Sequence, residues 1–151
     1  MRALRTINLI IAFIATTAPL AHVLEAAPKL TLDGPLWLAI QQNLYRGWGA
    51  FFGPIEIAAL ITTCILLVSN WYPGRRLEYL IAGACYAAML AVFFTFSRPV
   101  NAALTAWTTA TLPLDWQSYR LRWEIGHALA GVLSVIAFVA LNRRRIADEA
   151  G

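Results

Sequence analysis

The chain has 151 residues, of which 60% are hydrophobic and 13% charged, with a formal net charge of +4. Soluble chains run to roughly 45–50% apolar and about 25% charged, so a soluble domain of this length has no core large enough to hide that much apolar surface. The arginines stand at the ends of apolar stretches and no basic patch is interleaved with stacking aromatics, so the expected partner is the lipid bilayer and not nucleic acid.

In chain order, apolar runs cover residues 7–26, 51–69, 77–96 and 121–141. Each holds close to the ~20 residues a helix needs to cross ~30 Å of hydrocarbon, and none alternates with the period of a strand. Arg2 and Arg5 before the first run, and Pro19-Leu20-Ala21 within it, give it some likeness to a secretory signal. It is read as a true span. Residues 35–48 read as a short interfacial helix, with Leu36, Ile40 and Leu44 on one face and Trp37, Tyr45 and Trp48 as anchors. Residues 99–120 read as a second outer loop carrying Trp107, Trp116 and Tyr119, with Asp115 placed to cap the last span. Cys64 and Cys85 lie inside apolar runs and read as small hydrophobes.

Arg2, Arg5, Arg75, Arg76, Arg143, Arg144 and Arg145 fall on one side if the spans alternate, whereas the two longer loops carry only Lys29, Arg46, Arg98, Arg120 and Arg122. The excess places both termini in the cytoplasm. The expected fold is therefore all-α. It is one transmembrane domain over residues 1–151, an integral membrane four-helix bundle with a short interfacial helix in the first outer loop.

Ionisable groups at mid-membrane cost about 2.5–3.5 kcal/mol each on insertion scales, so each one inside a span needs a reason. They are His22 and Glu25 in the first span, Glu56 in the second, and Glu124 and His127 in the fourth. Alternate threading puts all of them near the outer face, and a spacing of three puts His22 with Glu25, and Glu124 with His127, on shared helix faces. One reading is a metal site. Glu-x-x-His on a helix is half of the pattern of carboxylate-bridged di-metal bundles, and both histidines with one or two carboxylates also suit a single iron, copper or zinc. The plainer reading is local ion pairing, Lys29 with Glu25 and Arg120 with Glu124, each four residues apart. Gln41, Gln42 and Asn43 read as the polar face of the interfacial helix, and Asn101 either caps the loop or lines the site. Gly83, Ala84, Ala87 and Ala88, and Gly126 with Ala130, read as close-packing faces. Phosphate-cradling loops, nucleophile elbows and haem-attachment motifs are missing from the sequence.

The chain resembles the anthrone-oxygenase-like family of small four-span membrane proteins. The resemblance rests on His22-Val23-Leu24-Glu25 followed by Pro28-Lys29-Leu30, on Gln42, Tyr45, Gly47, Trp48 and Glu56, and on Pro99-Val100-Asn101. It continues through Trp107, Asp115-Trp116 and the block from Arg120-Leu121-Arg122-Trp123-Glu124 to Gly126-His127. Fungal members oxidise an anthrone to an anthraquinone with dioxygen. The resemblance implies a location in a bacterial inner (cytoplasmic) membrane.

The leading expectation is a membrane-embedded oxidoreductase or oxygenase acting on a lipophilic aromatic or quinone-like substrate. His22, Glu56, Glu124 and His127 are its catalytic candidates, and Trp48, Asn101, Trp107 and Trp123 its substrate lining. The metal candidates are His22, Glu25, Glu56, Glu124 and His127, and the cofactor is either a transition metal or none. The alternative is a non-catalytic accessory or structural subunit of a larger membrane complex, or a homo-oligomer. Proton or ion passage is disfavoured because the inner halves of the spans offer only Thr62, Thr63 and Ser134.

Overall fold

A computed structural model describes residues 2–69 and 72–149, with side chains described through residue 143. The side chains of Arg144 and Arg145, part of the basic end used to orient the chain, lie outside the described residues. Every described element is a helix. They run α1 (Arg2–Leu30), α2 (Gly34–Asn43), α3 (Trp48–Val68), α4 (Arg76–Val92), a π-turn (Phe93–Ser97), α5 (Arg98–Ala106) and α6 (Trp116–Glu149), with a 3-10 turn (Pro73–Arg75) before α4. Four stretches are long and apolar enough to cross a membrane: Arg2–Leu30, Trp48–Val68, Pro73–Ala106 and Trp116–Arg143. Their outward side chains, among them Ile10, Phe13, Ile61, Ile65, Val132 and Val139, are exposed and apolar, as contact with lipid requires.

Packing is pairwise: α1 lies against α3 and α6, and α4 against the same two. Neighbours run antiparallel. Asn8 near the start of α1 donates to Thr62 and Thr63 late in α3, and Phe13 of α1 meets Phe138 of α6. Arg75 ahead of α4 donates to the carbonyl of Leu141 in α6. The start of α1, the close of α3, the 3-10 turn and the later part of α6 therefore share one end of the molecule. The other end holds α2, the close of α1 and the starts of α3 and α6.

Two cores result. The long one joins Ala12, Ala15, Ala59, Leu66, Tyr79, Ala82, Tyr86, Met89, Ala137 and Leu141 between the spans. The second, at the α2 end, joins Trp37, Leu38, Val100, Leu104 and Trp123. A small residue sets the expected approach at Gly126, whereas on the small-residue face predicted for α4 Ala84 and Ala87 are exposed. A Cβ on Gly126 would stand 2.8 Å from the Cβ of Phe96, and one on Gly83 3.9 Å from Thr63. Cys64 and Cys85 are both free thiols.

The helices overrun their predicted ends. α1 continues through Pro28 to Leu30, where Arg120 of α6 donates to the carbonyls of Lys29 and Leu32, at 3.0 and 2.8 Å, the Lys29 carbonyl also accepting from the Leu32 amide. The predicted outer loop over residues 99–120 is corrected in its first third, which is helical to Ala106. A proline two residues past the π-turn is tolerated because the wider turn displaces the carbonyl that its ring would strike. Asp33, not Asp115, is the side-chain cap that the structure displays; its carboxylate accepts from the Leu36 amide at 2.8 Å. Trp37 is no interfacial anchor either. It is fully buried, its ring 5.7 Å from that of Trp116, while Leu36 and Leu44 stay exposed.

Candidate functional site

A cavity of about 730 Å³ opens at the α2 end, between α1, α3, the π-turn, α5 and α6. His22, Glu56 and His127 line it, together with Tyr45, Trp48 and Trp123. Its size falls in the ~300–1,000 Å³ range of small-molecule sites.

Local sequence puts each group there. His22 sits on the α6-facing side of α1, 4% exposed, and its ring meets those of Tyr45, Trp48, Trp123 and His127 at 4.7, 5.2, 4.6 and 4.3 Å. Trp48 reaches the cavity because α3 starts immediately after Gly47, whose φ of 87° only glycine adopts freely. Trp123 is held by its indole N–H, which donates to the Oδ1 of Asn101 at 3.0 Å. The π-turn and α5 bring Asn101 to that place. His127 Nδ1 lies 2.9 Å from the carbonyl of Trp123, one turn earlier. A carbonyl only accepts, so Nδ1 carries the hydrogen, and a neutral His127 ring keeps its lone pair on Nε2.

The five ionisable residues separate into two groups. His22, His127 and Glu56 share the cavity. Glu25 and Glu124 stand beside it, gathered by Lys29 at 3.9 and 3.1 Å. The Lys29 ammonium also lies 4.6 Å over the Trp123 ring and 5.5 Å over that of Tyr45. The local pairing of Lys29 with Glu25 is thus the longer of its two contacts, and the cross-helix one is the shorter. Arg120 turns to backbone carbonyls, with its guanidinium 4.6 Å over Trp116. Glu25 accepts the Tyr45 hydroxyl and reaches toward His22 Nδ1, 3.7 Å away. Burial, and then that hydrogen bond to the carboxylate, hold the Tyr45 phenol above its ordinary pKa, so it stays a donor.

Among the described residues no group of three or more His, Cys, Asp or Glu side chains is placed to hold a metal ion. The imidazoles meet edge to face, at 75°, in a stacking contact.

Of the expected substrate lining, Trp48, Asn101 and Trp123 face the cavity. Trp107 does not. It packs on Tyr119 at 4.9 Å, and its carbonyl, like that of Leu104, accepts from the Gln42 amide. Gln42 thereby closes the end of α5, the role an exposed polar face would not give it. Missed from sequence were Gln41, Tyr45, Gly49 and Gly53 as lining residues. Only the four-residue spacing of the two glycines at the start of a span signalled them. Comparison of the chain with protein-family models, with curated proteins and with solved structures finds no match.

Proposed function

We propose that this protein is a membrane-embedded oxidoreductase that oxidises a lipophilic aromatic substrate with dioxygen at the cavity holding His22, His127 and Glu56. The observation that carries the proposal is the pair of imidazoles walled by Trp48 and Trp123 in one cavity at the level of the apolar spans. Flat aromatic walls suit a flat ring, and a basic nitrogen beside it suits removal of an acidic ring proton. The motifs that resemble the anthrone-oxygenase-like family support the same chemistry.

With an anthrone as substrate, His127 Nε2 takes a proton from the ring methylene, leaving a stabilised carbanion. Dioxygen adds to that carbon and accepts its electrons; the imidazolium returns the proton to the peroxide. Loss of the second methylene hydrogen with the terminal hydroxyl, as water, leaves the carbonyl of the anthraquinone. One anthrone and one dioxygen give one anthraquinone and one water. Glu56, which lines the cavity from α3, is the group that accepts a phenol hydrogen bond or carries the second methylene proton to the departing hydroxide. No step needs a metal.

The four spans form a bundle around the site, with α2 lying along the membrane surface. The arginine excess at the opposite end orients the site toward the outer face of a bacterial cytoplasmic membrane.

The test is dioxygen uptake by protein in lipid nanodiscs supplied with 1,8-dihydroxyanthrone. Uptake should exceed the autoxidation rate and be lost in His127→Ala. Uptake equal to that of empty nanodiscs would remove the enzyme reading. Co-purification of the chain with a larger assembly would then favour the accessory-subunit reading.

A further inference from the structure

Gly49 and Gly53 lie on one face of α3, both line the cavity, and a Cβ built on either would meet nothing within 4 Å. Glycines in helices usually serve a close approach of another backbone. These face open space. Across from them stand Phe93 and Phe94 of the π-turn, which also line the cavity and are 37% and 56% exposed. α3 packs along α4, but the two part at the π-turn, which turns instead to α4, α5 and α6. Ile57, one turn on from Gly53, is 47% exposed on the same rim. The rim is largely apolar, with the Arg98 guanidinium 5.7 Å over the Phe94 ring and Glu56 between Gly53 and Ile57, and it lies within stretches that have the composition of a membrane span.

The opposite wall is polar and closed. His22 is 4% exposed, and its Nδ1, buried without a hydrogen-bond partner, stands 3.7 Å from the Glu25 carboxylate beside the cavity. The Gln41 amide nitrogen is likewise buried and unpartnered, on a residue that lines the cavity. A ligand matching this gradient has hydrogen-bonding groups at one end and hydrocarbon at the other.

Resting on the reading of the cavity as an aromatic-binding site, we infer that its occupant arrives sideways from the lipid, between the first turns of α3 and the π-turn. The occupant is a ring bearing a hydrocarbon tail, the ring against His22 and His127 and the tail leaving past Gly53 and Phe94 into the bilayer. A side entrance spares a membrane-dissolved molecule from crossing the headgroup layer, and the missing side chains at positions 49 and 53 leave room for the tail.

The experiment measures saturable quenching of tryptophan fluorescence in nanodiscs by a benzoquinone carrying a decyl chain, and by its tail-less counterpart, each corrected for lipid partitioning. Wild type should bind the tailed probe more tightly. Gly53→Trp, which sets an indole across the door, should weaken the tailed probe about tenfold or more, the effect of uncovering two or so methylenes, and leave the tail-less one within about threefold. Ile61→Trp, on the lipid face of α3 away from the cavity, should change neither. If Gly53→Trp loses helical circular dichroism, Gly49→Phe is read in its place, with the same expectation. Phe94→Ala, which widens the door from the other side, should speed association of the tailed probe. Equal binding of both probes by wild type and Gly53→Trp overturns the side door while leaving the aromatic site intact. Binding of neither probe by wild type overturns the site itself, and the door with it.

Discussion

Replacing Lys29 by methionine probes a buried ion pair that joins α1 to α6. The ammonium lies 3.1 Å from Glu124 Oε1, with side chains only 5% and 7% exposed. Removing one partner of a pair buried to that degree costs about 3–5 kcal/mol, because the carboxylate left behind has lost its counter-charge. The ring of Trp123, 4.6 Å from the ammonium, adds about 0.5–1 kcal/mol. The 3.9 Å contact with Glu25, a side chain 41% exposed, adds a few tenths at most. Lys29→Met should therefore lose about 4 kcal/mol, whereas Lys29→Met/Glu124→Gln, which removes both charges, should lose only about 1–2 kcal/mol. The assay is reversible unfolding in mixed micelles driven by sodium dodecyl sulfate and followed by far-UV circular dichroism. A loss under about 1 kcal/mol in the single variant, or no recovery in the double, would refute the description of Lys29 as a buried bridge.

Gly126→Ala should destabilise by about 1–3 kcal/mol in the same assay, since the new methyl would stand 2.8 Å from Phe96 Cβ and 2.9 Å from Ser97 Oγ; a neutral result would show that the π-turn yields. Arg120→Met should leave the Leu32 carbonyl without its donor and the Lys29 carbonyl with only the Leu32 amide, and cost about 1–3 kcal/mol. Amide exchange at residues 27–32 should then quicken ahead of the rest of α1. Asn8→Leu removes two hydrogen bonds of 2.8 and 2.9 Å to Thr62 and Thr63, and should cost about 1 kcal/mol by thermal melting in detergent, because lost partners inside a bilayer are partly replaced.

The helical spans were legible because hydropathy reports the solvent and ~20 apolar residues report its thickness. The meeting of His22 with His127 was legible for a similar reason, since alternate threading fixes depth, and spacing along each helix fixes a face. Partner choice was not. Lys29 and Arg120 were each assigned to a carboxylate four residues away, yet Lys29 reaches across to Glu124 and Arg120 reaches across to α1. Helix neighbours are visible along the chain, but the axial rotation of one helix against another is set by packing that no single segment encodes. That rotation also moved Glu25 and Glu124 out of the cavity and left Glu56 in it. The π-turn was hidden too, because Pro99 signals a helix end unless the turn before it is wide enough to take the ring. Asn8 was overlooked as an inner polar clamp because a lone amide in an apolar run has no local partner to announce it.

The central claim is that an aromatic molecule drawn from the lipid occupies the cavity between α3, the π-turn and α6. Photolabelling in nanodiscs with an azido-anthraquinone, followed by peptide mapping, tests it most directly. Labels should fall on residues 48–57, 93–101 and 123–127 and be displaced by unlabelled anthraquinone. Labels spread over the lipid-facing residues of all four spans, undiminished by competitor, would contradict it.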